Sequence, residues 1–128
     1  MKRQAVNVLT VVIIAVILLT GGILEEIYIA NTLDGFAEKF VEFEKTETES
    51  GYDIGKLEEI YSWWETRHKA LEMLIPHTQI NEIESTFGEL KGAVRANDTK
   101  SAHAFIVRLQ LTVEAMADMY VLRIGNVL

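Results

Sequence analysis

Residues 5–24 read AVNVLTVVIIAVILLTGGIL, and this stretch contains no charged side chain. As an α-helix it would be about 30 Å long, which matches the hydrocarbon thickness of a bilayer. Thirteen of its residues are Val, Ile or Leu, and each of these favours insertion by about 0.3–0.6 kcal/mol near the centre of a span. The stretch therefore predicts a transmembrane helix that follows a short N-terminus, residues 1–4.

The charges on either side of this span predict its orientation. Lys2 and Arg3 precede it, and Glu25 and Glu26 follow it. Basic residues are enriched on the cytoplasmic side of membrane proteins. We therefore expect a single-pass protein of the cell membrane, with a cytoplasmic N-terminus and an extracytoplasmic C-terminal domain.

A cleaved signal peptide is the competing interpretation, because it also combines a basic start with an apolar run. The apolar part of a signal peptide is usually about 7–15 residues long and ends in an Ala-x-Ala-like site. Here the run is longer, and the small residues Thr20, Gly21 and Gly22 are followed by Ile23 and Leu24. The sequence favours retention of the span over a secreted helical protein.

The chain beyond the span predicts more helices, because apolar residues recur at intervals of three and four. We expect residues 25–45 to form a juxtamembrane helix that continues from the span. Its apolar stripe consists of Ile29, Leu33, Phe36, Phe40 and Phe43. Residues 46–55, TETESGYDIG, lose the periodicity and predict a loop, in which Asp53 can cap the next helix.

Residues 56–121 predict three further helices that form an extracytoplasmic bundle. The stripe of the first helix consists of Leu57, Ile60, Tyr61, Trp64, His68, Leu71 and Leu74. The stripe of the second consists of Ile80, Ile83, Phe87, Leu90 and Val94. The stripe of the third consists of Ala102, Phe105, Leu109, Val113, Met116 and Tyr120. Short connections make neighbouring helices antiparallel, and the end of the membrane helix can also pack against this bundle.

Turn-forming and capping residues separate these helices. Pro76 should end the first of the three, and Thr78 should cap the second. Asn97 and Asp98 should close the second helix and cap the third. The apolar tail, residues 122–128, is broken by a glycine and is expected to leave the helix. The predicted fold class is all-α, with an N-terminal transmembrane helix followed by an antiparallel three- to four-helix bundle.

Charge and composition exclude several classes of function. The chain has 12 basic and 19 acidic residues, which give a net charge of −7. An acidic surface repels nucleic acid and anionic lipid head groups. Because the chain contains no cysteine, thiol catalysis, thiolate zinc sites and disulfides are excluded.

Candidate metal ligands are few and scattered. Glu65 and His68 have the Glu-x-x-His spacing that supplies half of a di-iron centre in helical bundles, with Glu72 one turn further along. A second such pair, which that centre needs, does not occur in the sequence. Three histidines could form an open zinc site, but His77 and His103 lie on other elements. We therefore predict no metal, cofactor or catalytic residue, and no enzyme.

Trp63 and Trp64 are adjacent, so their side chains lie about 100° apart on a helix. Trp64 falls on the apolar stripe and Trp63 at its edge. Core packing is the expected role of both. A tryptophan at the edge of a stripe is also typical of a protein interface.

Several short motifs together resemble a known family. They are Glu25 with Glu26 after the span, Trp64 with Arg67, the string HTQINEIES that contains His77 and Glu84, and the final Asn126-Val-Leu128. This combination resembles a family of short single-span bacterial membrane proteins, mainly from Firmicutes, catalogued as a domain of unknown function. The resemblance implies no known activity or cofactor. It suggests a multi-span membrane protein of the YetF type as a partner.

His77 and Glu84 are expected at the corner between the first and second of the three bundle helices. There His77 would donate a hydrogen bond to nearby backbone. Glu84 would lie close to a basic group of the preceding helix, where Arg67 is available to pair with it. The alternative is that these residues surround Trp63 as a partner-binding patch.

The sequence thus favours a membrane-anchored interaction module that serves as an accessory subunit of a membrane or cell-envelope complex. A small-molecule or ion sensor is the alternative.

Overall fold

The computed structural model describes residues 2–127, and within the last helix it describes the backbone alone at residues 122–124 and 126–127. This part of the chain contains four helices and no strand; the helices are α1 (Lys2–Glu44), α2 (Ile54–Glu72), α3 (His77–Arg95) and α4 (Thr99–Val127). The all-α fold predicted from the sequence is confirmed.

The predicted span and the juxtamembrane segment form one uninterrupted helix, α1. Its sequence contains no proline, and Gly21 and Gly22 lie inside it. Residues 2–22 are exposed throughout, whereas the stripe from Ile29 to Phe43 is buried. One helix is therefore divided into an apolar half that the protein leaves uncovered and a half that belongs to the protein core.

Every helix contributes its predicted stripe to one hydrophobic core. The stripes of α1 and α3 are buried completely. In α2 and α4 most members are buried, while Tyr61, His68, Leu74 and Phe105 are half-buried at the edges. Each helix packs against its neighbours in the order α1, α2, α3, α4 and back to α1. Over residues 2–127 the bundle thus has four helices, because the second half of α1 packs with the three helices of residues 56–121.

Two of the predicted caps are present. The Asp53 carboxylate accepts hydrogen bonds from the backbone amides of Gly55 and Lys56, at the start of α2. The Asp98 carboxylate accepts one from the Ser101 amide at 3.1 Å, in the first turn of α4. Asn97 closes α3 in the left-handed region, with φ of 55°. Local sequence signals therefore define these helix ends.

The prediction that Thr78 caps α3 is wrong, because α3 begins one residue earlier, at His77. Pro76 occupies the cap position with an extended ψ of 134°. Its carbonyl accepts hydrogen bonds from the Gln79 and Ile80 amides, at 3.0 and 3.4 Å. Proline fits directly before a helix because its fixed φ is already close to the helical value and no backbone donor is lost there.

The prediction that residues 122–128 leave the helix is also wrong as far as the structure describes them. The backbone of α4 remains helical to Val127, through Gly125; Leu128 lies outside the described residues. A glycine inside a helix costs about 1 kcal/mol relative to alanine. That cost does not end a helix whose neighbouring residues all favour its continuation.

Candidate functional site

The five residues singled out in the sequence do not form one patch. Trp64 is completely buried, and its ring stacks on Phe36 of α1 with centroids 4.7 Å apart. Trp63 and Arg67 lie in the groove between α1 and α2. Glu84 lies between α2 and α3, and His77 at the start of α3. Trp63 thus contacts α1 while Glu84 contacts His68 of α2, and a partner-binding patch around Trp63 stays a prediction.

Trp63 is half-buried in a cluster of cations and aromatic rings. Its ring stacks parallel to Phe36 at 5.9 Å. The Arg67 guanidinium carbon lies 4.2 Å from the Trp63 ring centroid, and the Lys39 Nζ lies 5.1 Å from it. Arg67 also donates a hydrogen bond to the Trp63 carbonyl at 3.1 Å. The Lys39 contact and the stacking on Phe36 tie α2 to α1, whereas the Arg67 contact lies within α2.

Glu84 lies close to a basic group of α2, as expected, but the partner is not Arg67. Arg67 lies one turn after Trp63, so it faces α1. The basic residue of α2 that faces α3 is His68. The His68 Nε2 atom lies 3.8 Å from the Glu84 Oε1 atom and 3.6 Å from the Glu72 Oε1 atom. The structure thus brings one histidine and two carboxylates together, where the sequence predicted an arginine–carboxylate pair.

The orientation of the His68 ring is fixed on two sides. Its Nδ1 atom lies 3.0 Å from the Glu65 backbone carbonyl oxygen. A carbonyl only accepts hydrogen bonds, so Nδ1 carries the proton in this contact. The ring also stacks on buried Trp64, with centroids 6.3 Å apart. His68 therefore directs Nε2 toward the two carboxylates.

Glu65, the other half of the Glu-x-x-His spacing, is directed elsewhere. Its carboxylate lies one turn after Tyr61 on α2 and acts on the Tyr61 phenol. Burial raises the pKa of that phenol above its ordinary value, and the hydrogen bond and charge of Glu65, followed by the charge of Glu84, raise it further. The Glu65 backbone carbonyl thus meets His68, whereas the Glu65 carboxylate acts on Tyr61.

The expected hydrogen bond from His77 to backbone is wrong. The His77 side chain is exposed and makes no hydrogen bond to any residue that the structure describes. Backbone amides close the turn before α3 without His77. Leu71 accepts from the Leu74 and Ile75 amides at 2.9 and 2.7 Å, and Pro76 accepts from the first turn of α3.

The third histidine, His103, lies at the far end of the bundle. Its Nδ1 atom is 2.7 Å from the Glu44 Oε1 atom, so this pair joins the start of α4 to the end of α1. The three histidines are therefore separate, and a site of three histidines is excluded.

Within the part of the chain that the structure describes, the group able to hold a metal ion is His68, Glu72 and Glu84. Each offers one ligand atom, and these atoms lie within 4.8 Å of one another. Sequence reasoning named all three residues but did not combine them, because the contact between Glu84 and His68 depends on how α3 packs along α2.

Comparisons of the chain with family models, curated proteins and solved structures gave no match. The fold and site define a four-helix protein with one helix long and apolar enough to cross a membrane.

Proposed function

We propose that the chain is a membrane-anchored, extracytoplasmic helical module that binds another membrane protein as an accessory subunit of a membrane or cell-envelope complex. The continuity of α1 carries this proposal. The same helix contains the exposed apolar segment and a buried stripe of the bundle. A bundle built on its own anchor is held at a fixed place relative to the membrane.

The exposed half of α1 is suited to lipid. Its large apolar side chains, from Val6 to Leu19, are between 49% and 70% exposed, and they point in every direction around the helix. A surface of this kind in water would cause aggregation. A bilayer covers it without any further protein contact.

Retention of the anchor is favoured over cleavage. A cut at the end of the apolar run would fall inside a continuous helix, only a few residues before Ile29 enters the core. Signal peptides normally precede the folded domain and are separated from it by an extended cleavage site. Lys2 and Arg3 before the span then favour a cytoplasmic N-terminus.

The length of the helices supports a partner in or at the membrane. With a rise of about 1.5 Å per residue, residues 24–44 of α1 extend about 30 Å from the end of the span. From His103, which contacts Glu44, α4 runs back about 36 Å to Val127. We therefore expect the backbone end of α4 to return to the level of the membrane, beside α1.

A multi-span protein of the YetF type is the partner that the family resemblance suggests. The enzyme class remains disfavoured, and a sensor of a small molecule would need a ligand site for that molecule in the bundle. The cleft between α1 and α2, about 290 Å³ in volume, is open and lined largely by charged residues that include Lys39, Glu42, Lys56 and Glu59. This lining does not favour a small apolar ligand.

Affinity isolation from detergent-solubilised membranes tests the proposal. The full-length protein is compared with two chimaeras, one with an unrelated span in place of residues 5–24 and one with an unrelated soluble domain in place of residues 25–128. We expect the same membrane protein to copurify stoichiometrically with the wild type and with the span chimaera only. The proposal would be contradicted if the chain were recovered alone. It would also be contradicted if the partner copurified with the chimaera that keeps only the native span.

A further inference from the structure

We propose that His68, Glu72 and Glu84 bind a divalent transition-metal ion such as Zn²⁺ in the groove between α2 and α3. Two ligands come from α2 and one comes from α3, so a bound ion would connect the two helices. The site is independent of the membrane anchor and of any partner protein.

The ligand atoms are arranged for a cation. Because Nδ1 of His68 faces the Glu65 carbonyl, Nε2 is the ring nitrogen that faces the Glu72 and Glu84 oxygens, 3.6 and 3.8 Å away, and is the one available to bind a cation. A metal-bound histidine usually donates its second ring N–H to a carbonyl or carboxylate in this way. The Glu65 carbonyl therefore supplies the outer hydrogen bond that a metal ligand requires.

The three ligand atoms are already close to the separations that a bound zinc ion requires, so the side chains need to move only slightly. With bonds of about 2.0–2.2 Å, neighbouring ligand atoms of a tetrahedral zinc ion lie roughly 3.3–3.5 Å apart. The two distances from His68 exceed this range by a few tenths of an ångström, and all three atoms lie within 4.8 Å of one another. The glutamate side chains are 38% and 36% exposed, so they are free to close around an ion, whereas the ring of His68, at 19%, is held.

The ligand types select the class of ion. Imidazole nitrogen suits zinc and neighbouring transition metals, while Mg²⁺ and Ca²⁺ prefer oxygen ligands alone. Two carboxylates neutralise the charge of one divalent cation. Three protein ligands leave the fourth position to water, since the groove is open to solvent.

Zinc titration of the full-length protein in detergent, purified without a polyhistidine tag, tests the site. We expect one equivalent of Zn²⁺ to bind in competition with a chromophoric chelator, and Co²⁺ to give the visible absorption of a tetrahedral site. Removing a ligand should reduce zinc affinity by more than the roughly 10- to 100-fold typical of an outer-sphere partner. His68→Gln and Glu84→Gln should both show this loss.

Two matched control variants distinguish loss of a metal ligand from a general change in surface charge. Glu65→Gln removes the same charge as Glu84→Gln from the neighbouring surface, but only the Glu65 backbone serves the site, so zinc affinity should be unchanged. His103→Gln removes a histidine that meets a single carboxylate, and it should also bind normally. Circular dichroism verifies that each variant is folded; if His68→Gln is not, Glu84→Gln decides. Absence of saturable binding, or equal affinity in wild type and Glu84→Gln, would overturn the proposal.

Discussion

Phe87 lies where the aromatic residues of three helices meet. Its ring centroid is 5.0 Å from that of Tyr61, 5.8 Å from Phe40 and 6.4 Å from Phe36, and the side chain is completely buried. Replacing a buried phenylalanine by alanine costs about 3–5 kcal/mol, since it removes apolar contacts and leaves a cavity. We expect Phe87→Ala to lower the Tm by more than about 10 °C in a bundle of this size.

Leu111→Ala is the control for this substitution, because Leu111 is 62% exposed on α4. Its effect should stay within about 0.5 kcal/mol. Thermal unfolding followed by circular dichroism compares the two variants under the same conditions. A shift of only a degree or two for Phe87→Ala would show that the core is packed differently.

For single residues, the sequence predicts burial more reliably than it predicts contacts between side chains of different helices. The intervals within each helix distinguish buried Trp64 from half-buried Trp63. The spacing of apolar residues within one helix contains no information on how two helices are aligned along their axes. For that reason the sequence did not decide which basic group of α2 lies close to Glu84, and the contact with His68 emerged only from the packing of α3 against α2.

Two glycines, Gly51 in a loop and Gly88 inside a helix, should respond in opposite ways to replacement by alanine. Gly51, in the loop before α2, has φ of 98°, and an added Cβ would collide with the Asn97 side chain at the end of α3. Gly88 lies within α3, where an added Cβ meets nothing within 4 Å. Gly51→Ala should destabilise the protein by about 1–3 kcal/mol, whereas Gly88→Ala should stabilise it by about 0.5–1 kcal/mol.

Chemical denaturation of the two glycine variants measures both signs in one experiment. The opposite changes would distinguish backbone conformation from a general effect of the extra methyl group. If Gly51→Ala proved neutral, the close approach of the loop to the α3–α4 corner would be disproved.

The cap of α4 gives a pH-dependent prediction. Hydrogen bonds from Ser101, first from its side chain and then from its backbone, lower the pKa of the Asp98 carboxyl below its ordinary 3.8. A depressed pKa stabilises the fold above the unfolded pKa, and this contribution disappears as the pH falls through the folded pKa. Asp98→Asn keeps a capping oxygen but does not titrate.

We therefore expect Asp98→Asn to be less stable than the wild type at neutral pH, with the difference shrinking as the pH falls below about 3.8. Thermal unfolding of both proteins across this pH range measures the difference. A gap that stays constant with pH would contradict the role of the ionised carboxylate.

Element boundaries were predictable where a local signal defines them. Asp53, Asn97 and Asp98 act as the sequence indicates. The end of α4 was not predictable, because one glycine weighs little against a helix that is supported along its length. Thr78 was misjudged since Pro76 itself provides the start of α3.

The bundle as a whole depends on α1. Its stripe of Ile29, Leu33, Phe36, Phe40 and Phe43 is buried against the other helices, so a fragment without α1 would expose the faces that this stripe covers. We expect residues 25–128 to unfold cooperatively in the absence of detergent, and residues 54–128 to lack a cooperative transition. A sharp transition of the same Tm in both fragments would show that α1 is dispensable.

The sequence predicted the apolar stripe of α1, but it left open whether α1 is one of the helices of the bundle. Periodicity shows that a helix has an apolar face, whereas the number of helices that share one core depends on how those faces assemble. The predicted three- to four-helix bundle is confirmed with four helices in the described part of the chain, because the second half of α1 packs with the three helices of residues 56–121. The apolar segment itself was predictable from composition alone, because few soluble helices lack charge over such a length.

The central claim is that the full-length chain crosses the membrane once and holds its bundle outside the cytoplasm. Because the chain has no cysteine, single cysteines at Gln4 and at Met73, which is 87% exposed, report each side with a membrane-impermeant maleimide. We predict that Met73→Cys is labelled in intact cells and Gln4→Cys only after permeabilisation, both in membrane-bound protein of full length. Labelling of Gln4→Cys in intact cells, protection of Met73→Cys, or a shortened soluble product would contradict the claim.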